Sequence, residues 1–254
     1  MQIPYRIMYC FICNACAGPT VAGMDWKYLN QSMASGILDA FGAVSVHPYR
    51  RASSPPDTAL ADTWPQLRTM IERYGKSPAQ KAMPMISGEW GYTSAALPCT
   101  YNNRVSEVEQ AAYLARMWLS NTLAGVAVSI FYDWHSDGSD PGVCEDNFGA
   151  VRNKPTGNAE RPFATKPSYK AALTLQNALG DFDTFTGRIE PDNITPAMVK
   201  PFDVFVLRFG PESPGPGNDV GFAVWTNGSI AARSTCGSPV TDRRDYRGWS
   251  PQHS

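Results

Sequence analysis

Apolar and polar positions alternate between two rhythms over the first 180 residues. Residues 43–49 (Ala-Val-Ser-Val-His-Pro-Tyr) form a short β-branched run closed by proline, which predicts a buried strand. Residues 84–90 and 126–132 repeat that texture, the first ending in Gly88-Glu89-Trp90 and the second running into Asp133-Trp134-His135. Between these runs the spacing becomes helical. Trp26, Leu29, Met33 and Ile37 predict a helix over 26–38 with Asp25 as its N-cap, and Leu60, Trp64, Leu67, Met70 and Ile71 predict one over 58–74. Ser106-Glu107-Val108-Glu109 is a capping box opening a helix that runs to about 123, with Gly125 as its stop, and a last helix is predicted over 168–179. Near-continuous apolar strands separated by helices predict a parallel sheet covered on both faces.

After Gly180 the texture changes. Residues 202–209 alternate with period two, and a Pro/Gly/Asn-rich stretch over 210–219 leads to a second alternating run at 220–226, followed by the hairpin signal Asn227-Gly228. These features predict antiparallel structure and a boundary near 180. The expected organisation is a segment 1–17 that is either a secretory signal or an unrelated N-terminal piece, an α/β domain over 18–180, a small β domain over 181–233 and a poorly ordered tail over 234–254.

Composition narrows the class. The 254 residues carry a formal net charge of −1 and no Lys/Arg block, which argues against a nucleic-acid partner. No apolar run approaches a membrane span. Cys10, Cys13 and Cys16 are regularly spaced but lack a nearby histidine or fourth cysteine, so neither a metal nor another cofactor is expected.

Parallel strands deliver their C-terminal ends to one side. That geometry gathers His47 and Tyr49, Glu89 and Trp90, and Asp133, Trp134 and His135 on one face. A carboxylate beside aromatic plates suits sugar chemistry, because the carboxylate attacks or stabilises an anomeric carbon while a ring stacks on the sugar face.

These residues resemble the second half of a retaining glycoside hydrolase of clan A, a (β/α)8 (TIM) barrel, with the likeness strongest to families 5 and 39. Residues 18–26 resemble strand five and its turn, 44–50 strand six, 86–91 strand seven and 131–138 strand eight, with 181–230 resembling the small β domain that follows such barrels. The resemblance implies that Glu89 is the nucleophile, that Tyr49 hydrogen-bonds it, and that His47, Trp90, Asp133, Trp134 and His135 bind an oligosaccharide or polysaccharide, with Trp134 under the reacting sugar. The fold class expected is therefore an incomplete α/β barrel, strands five to eight, followed by a small antiparallel β domain.

The departure from the family is as informative. Its acid/base glutamate follows asparagine on strand four, and this chain contains no Asn-Glu pair. A full barrel takes about 250 residues, whereas the alternating pattern here spans only 18–180. Asp133, Asp137, Asp140 and Glu145 carry no sequence feature that places them as substitutes. The expected function is a glycosidase whose acid/base half lies elsewhere, with a missing N-terminal barrel half as partner and no activity of the chain alone. The alternatives are a non-catalytic carbohydrate binder and a truncated chain without autonomous activity. Cys99 and Cys144 follow adjacent predicted strands, so their loops emerge on one face and are candidates for a disulfide if the protein is secreted.

Overall fold

A computed structural model of the chain describes residues 16–153, 164–180, 182, 184–189, 204–212 and 219–226. The expected N-terminal signal, the Asn227-Gly228 turn and the tail over 234–254 lie outside the described residues, apart from Cys16 and Ala17.

Four parallel strands form the main sheet in the order β1 (Cys16–Ala17), β2 (Phe41–Val46), β3 (Met85–Trp90) and β4 (Val126–Phe131). β2 and β3 run in register through Val44 opposite Met85 and Val46 opposite Ser87. The helices differ from the periodicity in instructive ways. α1 (Trp26–Ala34) starts as expected, with the Asp25 carboxylate accepting from the Tyr28 N–H at 2.9 Å, but stops early because Gly36 takes φ +88° and starts a separate turn at Ile37–Asp39. The helix expected over 58–74 is split into a turn (Pro56–Thr58), α2 (Ala59–Asp62) and α3 (Trp64–Tyr74). Pro65 has no N–H to continue the ladder, and Arg50 binds Thr58, Asp62 and Thr63 at the break. A short α4 (Pro78–Lys81) precedes β3, and α5 (Glu107–Leu123) carries the complete Ser106/Glu109 capping box and ends before Gly125. α6 (Pro167–Leu179) packs along α5.

A second sheet is antiparallel, in the order β5 (Phe185–Arg188), β6 (Val204–Phe209) and β7 (Gly221–Thr226). β5 has no strong sequence signal, since Thr186-Gly187-Arg188 breaks any alternation. Phe205, Leu207 and Phe209 bury against Leu119 and Leu123 of α5 and Leu175 and Leu179 of α6, so this sheet shares a core with the helices. The main core lies between β2, β3 and the helices α1 and α3, where Leu29, Val44, Val46, Leu67 and Ile71 are fully excluded from water. β4 contrasts with its neighbours: it is an outer strand, and its Val128 and Ile130 are 41% and 50% exposed. No helix among the described residues is long and apolar enough to cross a membrane.

Candidate functional site

Glu89 reaches the C-terminal side of the sheet through an irregularity in β3. Ser87 pairs with Ser129 and Trp90 with Phe131, so three steps on β3 match two on β4. One extra residue of this kind reverses the strand's alternation. Trp90 therefore turns to the helix-covered side and Glu89 to the open end. Two glycines let the strands close around it. A Cβ on Gly91 would lie 2.0 Å from the Tyr132 carbonyl oxygen, and one on Gly88 would lie 2.5 Å from Ser45 Oγ.

Both Glu89 oxygens are engaged. Oε1 accepts from the Tyr49 hydroxyl, and Oε2 lies 3.4 Å from His47 Nδ1. Burial, the hydrogen bond and the charge of Glu89 push the Tyr49 phenol far above its ordinary range, so it stays a neutral donor. The Glu89 side chain is 33% accessible and opens into a cavity of about 550 Å³. Tyr49, Tyr132 and Phe148 form the cavity's aromatic wall: Tyr49 meets both other rings edge-on, with centroids 6.4 and 6.1 Å away.

A second carboxylate lines the same cavity. Glu145 Oε1 accepts from the Tyr101 hydroxyl at 2.7 Å and Oε2 from the Tyr132 hydroxyl at 3.2 Å. Burial first, then the Glu145 and Asp137 charges, raise the Tyr132 phenol well above its usual value, and the bond to Glu145 raises that of Tyr101. Tyr101 and Glu145 are delivered by loops that a disulfide joins: Cys99 and Cys144 are bonded with their Cα atoms 5.5 Å apart, and the Tyr101 N–H donates to Cys144 Sγ at 3.3 Å.

The other expected site residues are placed differently. Trp90 is not a sugar platform here; it is 1% exposed, packed among Leu114, Met117, Trp118 and Phe131, with its indole N–H on Ser129 Oγ. Asp133, Trp134 and His135 do not line the Glu89 cavity. The Asp133 carboxylate accepts from the Trp134 N–H, and His135 bridges to Val151. Trp134 is 64% exposed, lies against Tyr169 of α6, and faces a separate apolar groove of about 770 Å³ beside α5 and α6. The residue at the end of β4 that joins Glu89 is Tyr132, one step before the trio. Tyr101 and Phe148 were missed, and Glu145, weighed from the sequence only as a substitute acid/base and set aside, lines this cavity. A larger cavity of about 820 Å³, between α2, α3 and β6, is lined by none of these groups. Among the described residues, no cluster of His, Cys, Asp and Glu is suited to a metal ion.

With that geometry in view, the chain is similar to the structure of a family 39 glycoside hydrolase from the gut symbiont Bacteroides cellulosilyticus WH2, with a TM-score of 0.56 and 24% identity over 78% of this chain and 36% of that one. The chain has a glycoside hydrolase-like, TIM-barrel-related fold. A GH51 arabinofuranosidase from Xanthomonas axonopodis pv. citri matches with a TM-score of 0.45 and 14% identity over 83% of this chain and 42% of that one. The chain thus spans less than half the length of either structure. No family model matches the sequence, and no curated protein does either.

Proposed function

We propose that this chain is the C-terminal part of a retaining glycoside hydrolase acting on an oligosaccharide or polysaccharide, with Glu89 as nucleophile. The observation that carries this reading is Glu89 itself. It stands at the end of a parallel strand, on a half-open aromatic cavity, with Oε1 held by the Tyr49 hydroxyl and Oε2 3.4 Å from His47 Nδ1. A carboxylate so held keeps one lone pair aimed at an incoming anomeric carbon. Tyr132 and Tyr49 supply the apolar surface for a sugar ring, with the buried Phe148 packed edge-on against both.

A retaining mechanism needs a second carboxyl group about 5–5.5 Å from the first, serving as acid and then base. In this reading that group belongs to the other half of the barrel, outside this sequence. The exposed Val128 and Ile130 on the outer strand β4 and the apolar groove beside Trp134 support it, since a further strand would cover them. The Cys99–Cys144 bridge supports function in an oxidising, extracellular or secretory compartment.

The test avoids the missing acid. Fluoride leaves without a proton, so a 2-deoxy-2-fluoroglycosyl fluoride needs only the nucleophile: the Glu89 oxygen bonds to C1 as the C–F bond breaks. The xylosyl, glucosyl and mannosyl reagents should be tried on the purified chain, with peptide mass spectrometry locating the adduct. An adduct on Glu89 with at least one of them is expected, without turnover of the corresponding oligosaccharides. Adducts only on other residues, or none, would overturn the assignment. Turnover of an oligosaccharide would overturn the claim that the acid lies outside this chain.

A further inference from the structure

We propose that Glu145 is the specificity residue of this cavity: its carboxylate reads the hydroxyl groups of a neutral sugar and turns away sugars that carry a carboxylate. The inference rests on the carbohydrate reading of the cavity and goes beyond it to the substrate's charge.

Three facts lead there. First, among the described residues no cation is paired with Glu145; its two partners there are the neutral hydroxyls of Tyr101 and Tyr132. A carboxylate accepts at about four lone-pair sites, and the tyrosines occupy one on each oxygen. The remaining capacity belongs to a group that lines the cavity.

Second, the hydroxyls cannot relieve the charge. The Tyr132 phenol is held neutral by burial and by the Glu145 and Asp137 carboxylates, so it donates rather than ionising. Glu89, Asp137 and Glu145 give the lining three carboxylates. The terminal nitrogens of Arg50 are held by Thr58, Asp62 and Thr63, with its Nε unpartnered among the described residues, and Arg51, an exposed residue, is the other cation on the lining. The three carboxylates thus outnumber two cations, of which one is paired with Asp62. A ligand that brings donors is welcomed by such a wall. One that brings a further anion meets like charge in a partly dehydrated space.

Third, the position of Glu145 is fixed from several directions. Asn147, two residues on, donates its side-chain amide to the Asp140 and Val143 carbonyls, both at 2.7 Å. The Cys99–Cys144 bond ties the segment to the Tyr101 loop. A carboxylate oriented in advance binds hydroxyls without having to be ordered first.

The experiment uses the full chain and isothermal titration with four probes: xylotetraose, cellotetraose, mannotetraose and trigalacturonic acid. The wild type should bind at least one neutral probe and bind trigalacturonic acid at least tenfold more weakly. Glu145→Gln removes the charge and keeps the shape. It should lose tenfold or more in affinity for the neutral probe, and the discrimination against trigalacturonic acid should shrink. Glu145→Asp keeps the charge and withdraws it by one methylene, so it should lose neutral affinity while keeping the discrimination, which makes the test independent of whether the glutamine variant folds. A purely structural latch would alter stability and leave the ratio between probes unchanged. Wild-type affinities and ratios in both variants would overturn this inference alone. Failure of the wild type to bind any neutral probe would overturn the carbohydrate reading and this inference with it.

Discussion

Trp225 of β7 donates its indole N–H to the Asp57 carboxylate at 3.1 Å, across 168 residues of sequence. The same carboxylate takes Arg116 of α5 through Nε at 2.7 Å and through Nη2 on its other oxygen, and its side chain is fully buried. One charged pair thus ties the antiparallel sheet to α5 and to the segment that leaves the Tyr49 loop. Removing one partner from such a pair strands a buried charge, which costs about 3–5 kcal/mol. Asp57→Ala should therefore lower unfolding free energy in urea by about that amount. Trp225→Phe keeps an aromatic ring against Phe205 but loses one hydrogen bond to a charged group, and should cost less, about 1.5–3 kcal/mol. Equal, small losses in both variants would show that the pair is not what joins the two sheets.

Tyr132 and Trp134 should separate cleanly in binding. Tyr132 faces the Glu89 cavity, whereas Trp134 lies over Tyr169 on another groove. Tyr132→Ala should weaken binding of a neutral tetrasaccharide roughly tenfold or more, in keeping with the loss of an aromatic contact and a hydroxyl. Trp134→Ala should change it less than about twofold. Titration calorimetry giving the reverse order would place the sugar on the groove beside α6.

The Tyr49 hydroxyl orients Glu89 through a charge-assisted bond, a class worth about 1.5–3 kcal/mol. Tyr49→Phe should slow labelling of Glu89 by the fluoroglycosyl fluoride roughly tenfold to a hundredfold, with the protein still folded. Glu89→Gln should abolish the adduct and leave tetrasaccharide affinity within about threefold. A labelling rate unchanged by Tyr49→Phe would mean that the bond does not set the attacking geometry.

Lys166 gives a test in pH. The residue is 2% exposed, its Nζ donates to Ser94 Oγ and the Asn147 carbonyl at 3.0 Å each, and burial pushes its pKa down to about 8. An unfolded lysine titrates near 10.4. Between those values the unfolded chain holds a proton that the folded chain has released, so this group makes stability rise as pH increases through the window and fall as pH drops back toward 8. Tyrosines with raised values act the other way above about 10, so the useful range is pH 8 to 9.5. The melting temperature of the wild type should climb across that range relative to Lys166→Met. Parallel curves would contradict the account.

What was legible in the sequence was what depends on local pattern. The capping box at Ser106 and Glu109, the stop at Gly125 and the apolar runs of β2, β3 and β4 are written in neighbouring residues, and the structure has them. Tyr49 beside Glu89 was legible because parallel strands put their ends together. The role of Trp90 was not, because period-two reasoning fails where β3 carries one residue more than β4 between Ser87 and Trp90. The split between α2 and α3 depends on Arg50, which arrives from another element. Glu145 could be named but not placed for a similar reason: its meaning comes from Tyr101 and Tyr132, 44 and 13 positions away.

The Cys99–Cys144 staple also bears on how such a cleft can be redesigned. Tyr101 and Glu145 sit next to its two halves, on loops that follow different strands. Neither loop can be lengthened, shortened or exchanged without dragging the opposite rim along. A graft meant to alter what the cavity admits therefore has to carry both loops as one cassette, with matched lengths on either side of the bridge.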